Sequence, residues 1–60
     1  MKPGQAVIVK AFGGEELLRI VIQVYVNTVL ICKPEEWCKA IKENRPPTGV
    51  GFPLKAVKKY

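Results

Sequence analysis

Sixty residues suffice for a single domain, and the 48% hydrophobic content is ample for one compact core and well above what a disordered chain carries. Ten Lys and Arg against five Glu give a formal charge of +5, which favours contact with nucleic acid or another polyanion and also keeps a small domain in solution. His, Asp and Ser are absent and only two cysteines occur, so the usual catalytic triads and a tetrahedral zinc site of the ordinary kind are excluded, and neither enzymatic activity, a metal nor a cofactor is expected.

The first strand is predicted over Gln5 to Phe12, rich in β-branched residues and bounded by Pro3-Gly4 and Gly13-Gly14. Gly13-Gly14 supplies the positive φ of a tight connection, with Glu15-Glu16 as its solvated exit. The second strand runs from Leu17 to Tyr25. Its even positions, Leu18, Ile20, Ile22, Val24 and Val26, are all apolar and are expected to face the core. The odd positions mix Arg19 and Gln23 with Leu17, Val21 and Tyr25, which reads as an outer face partly covered by another element or a second subunit. A turn at Asn27, which tolerates the left-handed region, leads into a third strand, Thr28 to Cys32.

The pattern then changes. Pro34 suits a first helical position, Glu35 and Glu36 complement the positive end of a helix dipole, and Lys39 and Lys42 the negative end, so a helix is predicted from Pro34 to Asn44. Trp37 and Ile41, with Cys38 and Ala40 beside them, give it a narrow apolar stripe to dock on the sheet. Arg45-Pro46-Pro47-Thr48-Gly49 is a loop, Val50 to Pro53 a short fourth strand, Leu54 to Val57 one turn of helix, and Lys58 to Tyr60 a brief last strand.

The stretch from Leu17 to Cys32 is the longest nearly apolar one, but Arg19, Gln23, Asn27 and Thr28 interrupt it, and its spacing is that of strands rather than of a membrane-spanning helix. Residues 1 to 5 carry neither a long apolar segment nor a small-residue cleavage site, so a cytoplasmic location is expected. Such a location favours free thiols, with Cys32 at a strand end and Cys38 as a small buried helix residue.

Val7-Ile8-Val9 after Pro3-Gly4, the hairpin from Leu18 to Cys32, and Val50-Gly51-Phe52-Pro53-Leu54-Lys55-Ala56-Val57 resemble SH3-like barrels of the Tudor and KOW type. More narrowly, the whole chain resembles a group of short bacterial proteins of unassigned function, in which a hairpin ending in Cys precedes an acidic helix, a Pro-containing loop and a Val-Gly-Phe-Pro segment. The resemblance implies a mainly β domain, a five-stranded SH3-like barrel with one short helix inserted between strands 3 and 4, and a binding role without catalytic residues. An aromatic cage of the Tudor kind is not expected, because Phe12, Tyr25, Trp37, Phe52 and Tyr60 are dispersed and mostly fall at positions expected to be buried.

Two binding roles follow. Lys10, Arg19, Arg45, Lys55, Lys58 and Lys59 are the candidate nucleic-acid contacts, with an exposed Tyr25 or Phe52 available for stacking. Alternatively, Leu17, Val21 and Tyr25 form an apolar outer face for a protein partner or a second copy of the chain. Neither membrane binding nor a small-molecule substrate is expected.

Overall fold

The computed structural model describes all residues from 1 to 60. Its elements in chain order are β1 (Ala6–Lys10), β2 (Glu16–Val24), β3 (Thr28–Cys32), α1 (Pro34–Lys42), β4 (Val50–Pro53), a 3₁₀ turn (Leu54–Ala56) and β5 (Val57–Lys59). The strands form one antiparallel sheet in the order β4-β3-β2-β1-β5. The domain is therefore mainly β with its single α-helix between β3 and β4, as expected, and no helix is long and apolar enough to cross a membrane.

The order has a geometric consequence. β4 and β5 are the two edges of the sheet, yet only Leu54–Ala56 separate them along the chain. In a flat five-stranded sheet those edges would lie about 19 Å apart, whereas four Cα steps cover at most about 14 Å. The sheet must curl. Leu54 N–H donates to Asn27 O at 2.9 Å, which pins the 3₁₀ turn to the β2–β3 connection.

Register and alternation then decide which side chains enter the curl. Val57, Val9 and Leu17 are cross-strand neighbours, as are Val21, Ile31 and Val50, and Val24, Val29 and Phe52. The core consists of Val7, Val9, Val21, Val29, Ile31 and Val57, with Leu17, Val24 and Phe52 packed against it. This reverses the face expected for β2. Val21, an odd position, is 0% exposed, while Leu18 is 40% exposed and Val26 88%.

The reason is a bulge. Val21 pairs with Ile31 and Gln23 with Leu30, so Ile22 is an extra residue on β2. Odd positions point inward before it, and Val24 points inward after it. Ala6, Ile20 and Cys32 are neighbours on the other face. There α1 packs over β2, and Cys32 and Ala40, buried but outside the inner core, mark the contact.

Local chemistry sets the connections. Gly13 and Gly14 adopt φ of 88° and 83°, as the β1–β2 turn requires. Asn27 does not enter the left-handed region; Asn44 does, at φ 53°. It closes α1 in a Schellman motif, Asn44 N–H donating to Ile41 O at 3.2 Å and Arg45 N–H to Ala40 O at 3.0 Å. Pro34 opens the helix as predicted. The apolar stripe differs: Ala40 is buried and Trp37 half-buried, but Ile41 is exposed and so is Cys38, which was expected inside.

These face assignments have a direct test. Ile31→Ala is expected to lower stability by about 2–5 kcal/mol, as for other buried large-to-small changes, whereas Leu18→Ala costs under about 1 kcal/mol because its site is near the surface. Urea-unfolding midpoints of the two variants measure the difference, and equal losses would contradict the inward row.

Candidate functional site

The inner face of the curl opens as a groove of about 410 Å³. Val9, Leu17, Ile31 and Phe52 form the apolar walls, and the segment Thr48-Gly49-Val50 borders one side. Gly49 is there of necessity, because a Cβ at that position would meet the Ile31 carbonyl and come within 2.6 Å of Ile22 Cδ1. Arg19 and Lys33 supply the charged part of the lining, and none of the five glutamates contributes to it.

The register explains why cations gather there. Arg19 and Lys59 are both cross-strand partners of Val7, on β2 and β5, so all three lie on one level of the inner face. One step beyond the Ile20–Cys32 pair places Lys33 at the same level beyond β3. Arg19 and Lys59 are two strands apart, or about 10 Å, and Lys33 about 5 Å on the other side of Arg19. Arg19 is half-buried, and its Nη1 donates to Leu18 O at 2.7 Å, with no carboxylate in ion-pair contact.

The remaining sequence candidates are dispersed. Lys10 and Lys58 belong to the opposite face, where Lys58 Nζ bonds Glu16 Oε2 at 3.2 Å. Lys55 is exposed on the 3₁₀ turn. Arg45 is not a free cation: its Nη1 and Nη2 bond Glu36 at 2.6 and 3.3 Å and its Nε bonds Glu43 at 2.7 Å. Leu17, Val21 and Tyr25 form no outer face, since Val21 is fully buried, Leu17 lines the groove and only Tyr25 is exposed. Phe12 and Tyr60 are exposed as well, and Trp37 and Phe52 half-buried, so no aromatic is fully inside.

Lys33 is the residue that sequence reasoning missed. Its signal was present in the β2–β3 hairpin, where extending the register one step past Cys32 sets it opposite Arg19. Without knowledge of the bulge, that alignment shifts by one and the two appear on opposite faces.

A second polar centre holds the groove's border in place. Glu36 on α1 accepts both bonds from Arg45 and also the Thr48 N–H at 2.9 Å, tying the helix to the loop that precedes β4. The Arg45 guanidinium and then the Thr48 N–H hold the Glu36 carboxyl well below its ordinary 4.5, at about 2. The bonds to Glu36 and then to Glu43 raise the Arg45 guanidinium further above its ordinary value. Burial pushes the Cys32 thiol up, Glu36 adds to this and Arg19 opposes it. Cys32 is accordingly a packing residue, not an activated nucleophile.

Comparison with known proteins gives no match to a protein-family model, to a curated protein or to a solved structure.

The Glu36 centre predicts an acid response. Its folded-state value lies below the ordinary one, so its stabilising effect is complete above about pH 4.5 and fades as pH falls toward 2. Urea midpoints followed over that window are expected to drop more for the wild-type protein than for Glu36→Gln, which starts less stable and has no such carboxylate to titrate.

Proposed function

We propose that the chain is a non-enzymatic, SH3-like barrel module that binds a polyanion, with nucleic acid as the partner, through cations left unpaired on its surface. The barrel reading is supported by the order β5-β1-β2-β3-β4, by the single 3₁₀ turn between the edge strands and by the curl that this short connection imposes. The binding reading is carried by one observation about charge. Three of the five glutamates, Glu16, Glu36 and Glu43, are consumed by just two cations, Lys58 and Arg45, leaving eight Lys and Arg side chains without a carboxylate partner against Glu15 and Glu35.

Those cations neutralise phosphates and release the counterions condensed on them, so affinity comes from charge and falls with salt. Arg19, Lys33 and Lys59 supply the aligned part of the surface, and Lys10 and Lys55 widen the field that attracts the partner. Both cysteines are unbridged, in keeping with work in the cytoplasm.

Fluorescence polarisation with a short labelled oligothymidylate tests the proposal. Neutralising three phosphates of a single strand predicts a loss of roughly 20-fold in affinity between about 50 and about 200 mM salt. No binding at the lower salt, or binding indifferent to salt, would remove the reading.

A further inference from the structure

We infer that the groove is the seat of an unpaired nucleobase, so that the partner is a single strand rather than a duplex; this rests on the polyanion reading proposed above. The charged side chains that line the groove are of one sign. Its walls, Val9, Leu17, Ile31 and Phe52, are apolar and its charged lining consists of Arg19 and Lys33; the carboxylate nearest its border, Glu36, is held by Arg45. Arg19 is half-buried without a carboxylate partner, an arrangement that an incoming anion relieves.

The spacing of the cations identifies the ligand further. A small amphipathic acid has one anionic head and uses Arg19 and Lys33 alone. Lys59 continues the row about 10 Å from Arg19 and calls for a second anion on the same molecule. A single-stranded nucleic acid is a polymer that joins anions to flat, largely apolar groups in this way. Its phosphates meet the row while one base lies against Phe52 and Leu17, with the base edges left toward water at the open side. A duplex keeps its bases stacked inside and presents only phosphates, so it engages the row and leaves the groove empty.

The volume suits such a guest. At about 410 Å³ the groove lies within the range of ligand sites, and the mouth of a curled sheet is a common location for one. Val50 offers a way to alter it without disturbing the core, since it borders the groove and is 60% exposed.

The experiment compares four probes by polarisation or competition at fixed low salt: oligothymidylate, a duplex of the same length, inorganic polyphosphate, and an acidic peptide with interspersed leucines. The expected result is oligothymidylate bound at least about fivefold tighter than duplex or polyphosphate, the effect of one stacked base. Val50→Trp, which adds a ring to the groove wall, is expected to tighten the single strand by at least about fivefold and to leave the duplex unchanged. Arg19→Gln is expected to reduce the single-strand salt slope by about 0.7. Equal affinity for single strand, duplex and polyphosphate, with Val50→Trp silent, overturns the base seat while leaving the polyanion reading standing. Preference for the leucine-containing peptide over oligothymidylate also overturns it. Failure of all four probes to bind overturns both.

Discussion

The short connection between β4 and β5 governs the rest of the molecule. These strands are the opposite edges of the sheet, yet a single 3₁₀ turn must join them. A sheet obeying that tether rolls its inner face into a curved enclosure around the core. The enclosure is lined by β-branched residues from four of the five strands, Val7 and Val9, Val21, Val29 and Ile31, and Val57. Their stiff, compact side chains pack the interior of the curl, and Val9 and Ile31 also reach the groove. Leu17 and Phe52, packed against that core, only partly cover it, and the groove lies beside them. Core and candidate site thus share Val9 and Ile31 on one curved surface.

Much of this was legible from residue types whose effect is local. Gly13-Gly14, Pro34, the charge order along α1 and the Val-Gly-Phe-Pro segment each act within a few residues, and the corresponding elements appear where expected. What escaped was the facing of β2. Its even row is apolar because Ile20 and Ile22 meet the helix side, while its odd row carries Arg19 and Gln23 and looks like the wet side. Both faces of a central strand are covered here, so alternation alone cannot say which is the interior. The bulge at Ile22 then moves Gln23 outward and Val24 inward, a change of phase with no composition signal of its own. Ile41 and Cys38 were misplaced for a related reason. Ala40 alone of the helix residues is buried, with Trp37 half-buried, so the stripe is narrower than its sequence implies.

The candidate site was half visible for the same reasons. Charge was counted correctly, but counting cannot separate cations tied to carboxylates from free ones. Arg45 is the clearest case, since a surface arginine in a loop proves to be the clamp on Glu36 and Glu43. Its partners are nine and two residues away, and only the Schellman turn at Asn44 brings the guanidinium back toward the first turn of the helix. The clamp bears on the groove indirectly, because Glu36 also fixes Thr48, the residue that leads Gly49 and Val50 along the border.

The two edges also bear on self-association. An exposed edge strand invites pairing with another chain unless something blunts it. β4 ends in Pro53, which has no N–H to offer, and β5 is only three residues long and carries Lys58 and Lys59. Two copies of the lysine-bearing β5 edge repel each other when they meet. The apolar side chains left in water, Phe12, Val26 and Ile41 among them, sit on the β1–β2 turn, the β2–β3 turn and the helix, so they are not one continuous strand face. With the row of Leu17 and Val21 turned inward, the features that would draw a second copy are dispersed, whereas Arg19, Lys33 and Lys59 are aligned on one level. That alignment is the feature on which the proposed anionic partner rests.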